Sequence, residues 1–225
     1  FIAPALAWKT GEKSSAGIAL NFAVQQFEMQ GAGVFTPFSA DAAHLTNNGP
    51  DTSTGMGLRL GWQGEIADGV TLGASWQSKT AMSPFNKYAG LFANAGDFDI
   101  PENWVLGLAW RASDRLTLAL DWQGIQYSDV PAVGNTSTTL FTGSLLGSDD
   151  GPGFGWQDIR VVKLGAVYAL DEKLTLRAGV SHSDQPVPAG ETFINIIAPG
   201  VVEDHLTVGA TWAVGEHNEL SVHYT

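Results

Sequence analysis

The chain contains no cysteine, which removes disulfides, thiolate metal sites and cysteine nucleophiles together. Charge is sparse as well. Only 15% of the residues are Asp, Glu, Lys or Arg, too few for a disordered polyelectrolyte. The net charge of −12 leaves no basic stripe to neutralise phosphates, so no nucleic-acid partner is expected. No run of about 18 apolar residues occurs, which excludes a helical membrane span but not a span made of strands. There is no initiator Met and no signal peptide before FIAPALAWKT, and ELSVHYT stops in mid-pattern. A fragment truncated at both ends is therefore expected.

What the chain has in quantity is glycine, at 27, and tryptophan, at 8, the composition of a glycine- and aromatic-rich β protein. Its apolar residues alternate. In RLTLALDWQG, residues 115–124, Leu116, Leu118, Leu120 and Trp122 share one parity, and Thr117, Ala119, Asp121 and Gln123 the other. Such a strand has two faces in different surroundings. The pattern recurs in pairs. Ile2, Leu6 and Trp8 lead through TGEK to Ala16, Ile18, Leu20, Phe22 and Val24; Met56 to Trp62 lead through Asp68-Gly69 to Val70, Leu72, Ala74 and Trp76. Trp104 to Trp110 lead through Ser113-Asp114 to the stretch just quoted, Val162 to Tyr168 through DEK to Leu174–Val180, and Leu206 to Trp212 through GEHN to Leu220, Val222 and Tyr224. Ten strands in five hairpins are predicted, the shared parity across each turn implying an odd number of loop residues.

Between hairpins lie long connections, roughly residues 28–52, 83–101, 129–156 and 185–201. Short turns alternating with long loops is the asymmetry of an outer-membrane barrel. Trp8, Trp110, Tyr168 and Trp212 each precede a short turn on the apolar parity, where an interfacial aromatic girdle would lie. The runs are long enough for the roughly 9 to 11 residues of a tilted span. The opposite parity carries Arg59, Gln63, Ser75, Gln77, Lys79, Arg111, Asp121, Gln123, Lys163, Arg177, Ser181, His205 and Thr207 with recurrent glycines, as a lumenal face would. The predicted fold is an all-β antiparallel transmembrane barrel, residues 1–225 forming part of one barrel domain. The same alternation also suits a soluble β-sandwich binding module, in which the apolar face would be buried in protein.

Three segments in collinear order, GLFANAGDFDIPENWVLGLAW (90–110), GPGFGWQDIRVVKLGAVYAL (151–170) and LRAGVSHSDQPVP (176–188) followed by DHLTVGATW (204–212), resemble the FadL/TodX-type outer-membrane long-chain fatty-acid and hydrocarbon transporters. The resemblance implies a fourteen-stranded barrel plugged by an N-terminal hatch, capture of hydrophobic molecules by outer loops, passage to a lumenal site, and lateral release through a kinked strand. The chain departs from that pattern in lacking the hatch, an N-terminal Asn-Pro-Ala segment, four of the strands and a closing C-terminal aromatic residue. It is thus expected to be the C-terminal portion of such a protein, in the bacterial outer membrane.

Barrel enzymes such as outer-membrane lipases or proteases are the rival reading. Their candidate residues are Ser181, His182, Asp184, Asp204 and His205, but Asp204 and His205 are strand neighbours pointing to opposite faces and cannot pair by adjacency. Histidines at 44, 182, 205, 217 and 223 lack metal-site spacing, and SDDGPG at 148–153 reads as a polar turn rather than a calcium loop. GPGFGW lacks the Lys and the following helix of a phosphate loop. No metal, cofactor or catalytic activity is expected.

The long loops are unusually apolar for segments facing water. Phe35, Phe38, Phe85, Tyr88, Leu91, Phe92, Leu140, Phe141, Leu145, Phe193 and Ile196 are the candidate ligand-binding residues, able to cap the barrel and to form a concave apolar site together. Leu45, Phe98, Leu146, Ile194 and Ile197 share those loops. Arg59, Arg111 and Arg177 are lumenal candidates for holding a ligand carboxylate, with Asp121 as a competing partner. The expected function is passage of long-chain fatty acids or other hydrophobic compounds by ligand-gated passive diffusion. The expected partners are that ligand, outer-membrane lipid and lipopolysaccharide, with the protein a monomer.

Overall fold

The structure is a computed structural model that describes residues 1–215 and 218–225; the candidate histidine at 217 lies outside the described residues. The predicted alternation becomes strand throughout: β1 (Ala5–Gly11), β2 (Ser14–Phe27), β3 (Asp51–Ala67), β4 (Val70–Gln77), the two-residue β5 (Ala81–Met82), β6 (Asn103–Arg111), β7 (Leu116–Ile125), β8 (Ile159–Ala169), β9 (Leu174–Ser183), β10 (Asp204–Ala213) and β11 (Glu219–Tyr224). The ten long strands form a single antiparallel sheet in chain order, and β5 extends the ladder beside β3. Among the described residues, β1 bonds only to β2 and β11 only to β10, so the two outermost edges stand open.

Register explains why each face is chemically uniform. One cross-strand row runs Leu72, Leu108, Leu120, Leu164, Val180, Leu206, and the adjacent row on the other face runs Gly73, Gly107, Asp121, Lys163, Ser181, His205. A slip of one residue would exchange the two rows wholesale. The apolar row is uncovered, Leu206 being 65% exposed. No second sheet packs on it among the described residues, which removes the sandwich alternative. A row of leucines this open in water would be an extreme aggregation surface, whereas facing hydrocarbon it costs nothing.

Trp8, Trp110, Tyr168 and Trp212 lie on this face toward the short turns, half exposed as an interfacial girdle requires. A second aromatic group, unremarked in the sequence, sits toward the long loops. Trp76 faces Trp104 across β4 and β6, and the Trp104 and Trp122 rings meet edge to face at 5.0 Å. Trp104 and Trp110 are six residues apart on β6, roughly 20 Å along a strand, so the two groups mark opposite ends of the apolar face.

Two sequence expectations need correction. The β1–β2 and β3–β4 connections are two-residue turns, not odd-numbered loops. A bulge between Lys9 and Gly11, and another between Glu65 and Ala67, adds the residue that keeps parity constant. Lys79 does not continue the inward row of Ser75 and Gln77. Pairing shifts from Arg59–Gln77 to Met56–Ala81, and Leu58 N donates to Ser78 Oγ at 2.9 Å within that break, so alternation no longer predicts direction there.

Candidate functional site

The hydrophobic core of this protein lies in its long loops rather than under its sheet. Phe85, Tyr88, Phe92 and Ala132 are buried together, with Phe27, Met29, Leu91 and Phe98 packed around them. Phe27 projects from the top of β2 and meets Phe92 at 4.8 Å and Tyr88 at 4.9 Å, both edge to face, while Phe92 meets Phe98 at 4.8 Å. Such pairs add roughly 0.5–1.5 kcal/mol each beyond their area. Tyr88 is fully buried, and its hydroxyl donates to Gly49 O at 2.8 Å and accepts from Met29 N at 3.0 Å, joining the first long loop to the second.

Further contacts bind the loops in chain order into a cap. Leu146 N donates to Phe38 O at 2.8 Å and Ala40 N to Leu146 O at 2.9 Å, tying the first loop to the third. The second meets the third where Asn94 N and Ala95 N donate to Ser148 O and Gly147 O, each at 3.0 Å. To reach them, Asn94 and Ala95 adopt positive φ of 54° and 55°, a conformation that costs a residue with a Cβ of order 1 kcal/mol or more. Glu191, buried in the fourth loop, accepts from Thr136 Oγ1, Ser137 Oγ and, at 3.0 Å, Ser137 N of the third. Gly155 makes room for it, since a Cβ there would stand 2.4 Å from the Glu191 side chain. Asn195 accepts from Trp156 Nε1 at 2.5 Å and donates to Phe154 O at 2.7 Å.

Inside the cap is a cavity of about 420 Å³. Of the candidate residues, Phe35, Phe85, Leu91, Phe92 and Leu140 line it. Tyr88 supports it from behind. Phe38 and Leu145 do not line it and are exposed, and Phe141, Phe193 and Ile196 point into solvent, Phe141 at 77% and Phe193 at 75% exposure. The fourth loop instead turns Ile194 and Ile197 toward the cavity. Phe27, Met29 and Phe154 also line it and escaped the sequence reading. Phe27 carried a signal: on β2 the large apolar residues Ile18, Leu20, Phe22 and Val24 are even-numbered, and Phe27 breaks that parity, as it must where the inward face ceases to be polar.

The cavity wall is apolar apart from Gln25, Gln26 and Ser137, and carries no charged side chain among the described residues. Charge lies just outside it. Asp99 is buried, accepts from Met82 N at 2.7 Å and pairs with Lys79 at 2.8 Å; this contact holds the Lys79 ammonium above its ordinary pKa. Asp97, on the other side of Phe98, is pushed above the usual carboxylate range, first by burial and then by the like charge of Asp99.

The three arginines are not brought together. Arg59 donates through Nε to Gln77 Oε1 at 3.1 Å, and Arg177 to Thr211 Oγ1 at 2.5 Å. Arg111 sits at the short-turn end, its N–H bonded to Gly69 O at 2.8 Å. Arg59 and Asp121 share a hollow of about 470 Å³ on the inward face without an ion pair, and Asp121 is paired in register with Lys163. None of the three lines the cap cavity. The enzyme-like residues also separate. His182 Nδ1 and Asp204 Oδ1 meet at 2.8 Å on the apolar face, whereas Ser181 and His205 are register partners on the other, so a Ser–His–Asp line does not form.

The chain thus combines a sheet with one uncovered apolar face and an apolar cavity under interlocked loops. The sequence model of the outer membrane protein transport protein family (OMPP1/FadL/TodX) matches residues 2–225. The chain belongs to this family. Its setting is accordingly the bacterial outer membrane. A long-chain fatty acid transport protein of Escherichia coli O6:H1 is 31% identical over 97 residues, 43% of this chain and 19% of that protein. The fold is similar to those of the toluene transporter TodX of Pseudomonas putida, with a TM-score of 0.63 at 17% identity over 97% of this chain and 61% of that one, and of TbuX of Ralstonia pickettii, with a TM-score of 0.63 at 17% identity over 97% and 59%. The chain thus spans about three fifths of the length of these solved relatives.

Proposed function

We propose that hydrophobic compounds, long-chain fatty acids or hydrocarbons, cross the outer membrane through this protein by ligand-gated passive diffusion, without nucleotide and without a chemical step. The observation that carries this reading is the apolar cavity of about 420 Å³ held beneath the cap. Burial of each ligand methylene contributes about 0.8 kcal/mol, so area alone can retain a hydrocarbon there long enough to be handed inward. In this reading the sheet is part of a closed barrel, with residues 1–225 one portion of it, because the open ladder groups of β1 and β11 could not remain unpaired in lipid at several kcal/mol each. Lipid and lipopolysaccharide then surround the leucine row, and the barrel acts as a monomer.

The test is uptake of labelled toluene and labelled oleate by outer-membrane vesicles with and without the protein. Faster entry of at least one compound is expected, abolished by residues that fill the cavity, such as Leu140→Trp. Equal entry of both compounds in both vesicle types would overturn the proposal.

A further inference from the structure

Relatives of this chain include a long-chain fatty acid transport protein and toluene transporters, the first named for an acid and the second for an uncharged hydrocarbon. A carboxylate taken from water into an apolar site needs a cation or several N–H donors in place of its hydration. Among the described residues, no Lys, Arg or His lines the cavity. The nearby Lys79 is committed to Asp99 at 2.8 Å. Negative groups adjoin the wall: Asp97 and Asp99 flank Phe98, and Glu191 stands behind Ser137, whose Oγ and N–H both point at its carboxylate and away from a ligand. Among the described residues, the wall side chains with uncommitted N–H groups are the amides of Gln25 and Gln26 alone.

What the wall does offer is aromatic surface. Six phenylalanines contribute, at 27, 35, 85, 92, 98 and 154, and Phe27, Phe92 and Phe98 are already in an edge-to-face chain with 4.8 Å spacing. One more ring can extend such a chain favourably. The volume of about 420 Å³ is well above the roughly 150 Å³ that accommodates benzene, so a two-ring or alkyl-substituted ring fits.

We infer that the cap cavity selects uncharged hydrocarbons, aromatic ones above all, and rejects carboxylates. The inference rests on the cavity being the ligand site. Gln25, inward-facing on β2, is the position at which a cation would supply the counter-charge the wall lacks.

The experiment is displacement of tritiated naphthalene from the full chain held in amphipol, using butylbenzene and 4-phenylbutyrate, which share ring and chain and differ in the carboxylate. At neutral pH butylbenzene should displace the probe at a concentration at least tenfold lower. Gln25→Arg should shrink or reverse that ratio, and Gln25→Leu should leave it unchanged; heat-modifiable gel mobility confirms that each variant is folded. Equal or better displacement by 4-phenylbutyrate from the unaltered protein overturns the selectivity while leaving the cavity as a site. A folded Gln25→Arg variant with the original ratio overturns the stated cause. Absence of any saturable naphthalene binding removes the cavity reading beneath both.

Discussion

Replacing Phe92 by Ala tests whether the cap is an independently packed unit. The ring is buried and meets Phe27 and Phe98 at 4.8 Å and Phe85 at 6.1 Å. Phe-to-Ala truncation in a packed core costs about 3–5 kcal/mol. One side of this ring already faces the cavity and has fewer atoms to lose, so the lower end, about 3 kcal/mol, is expected. Because the loss falls on the cap and not on the ladder, it should appear as local opening. At about 1.4 kcal/mol per factor of ten, amide hydrogen exchange at Phe85 and Gly96, which bond to Gly96 O and Phe92 O at 2.8 and 3.1 Å, should accelerate on the order of a hundredfold. Exchange at Leu120 and Leu164, inside β7 and β8, should not change. Acceleration below about threefold at the cap, or equal acceleration in the strands, would refute the idea that the aromatic cluster holds the cap independently.

Phe141→Asp should behave oppositely: at 77% exposure it should alter cap exchange by less than about 0.5 kcal/mol, so any loss of uptake would report capture at the loop tips rather than unfolding. Gly124→Val puts a Cβ 2.5 Å from the Trp104 ring; overpacking of about 1–3 kcal/mol should lower the temperature at which the folded band is lost in heat-modifiable electrophoresis, and Gly33→Ala, where nothing lies near, should not. Asp97 has a folded pKa raised by burial and by Asp99, so its contribution to cap stability is full below the ordinary aspartate range and is lost as pH rises through the raised value. Asp97→Asn should therefore raise the cap's melting temperature at roughly pH 7 and leave it unchanged at roughly pH 3. The fluorescence of Trp156, stacked edge to face on Tyr127 in the cap, reports this melting, and an equal shift at both pH values would argue against ionisation as the cause.

The ladder was legible in the sequence because a strand's two faces are an arithmetic property of position. Leu116, Leu118, Leu120 and Trp122 announce a shared face without reference to any other residue, and the five hairpins follow from parity and turn residues. Even the apolar excess of the loops was visible by composition. Alternation failed where a bulge intervened: Ser78 accepts a ladder N–H, the count shifts by one, and Lys79 turns to Asp99 instead of the row that Ser75 and Gln77 predict.

Which loop residues face inward could only be decided by tertiary structure, because irregular backbone has no period from which direction can be read. Phe141 and Phe92 are indistinguishable as apolar loop residues, yet one is exposed and the other is central to the cluster. The difference comes from contacts between segments far apart in the chain: Tyr88 with Gly49, Asn94 with Ser148, Glu191 with Ser137. The scattering of Arg59, Arg111 and Arg177 away from the cavity is likewise a matter of height on the sheet, which register sets and composition does not. Local periodicity thus determined that this chain makes a two-faced sheet, and long-range hydrogen bonding between its loops decided where an apolar ligand could rest upon it.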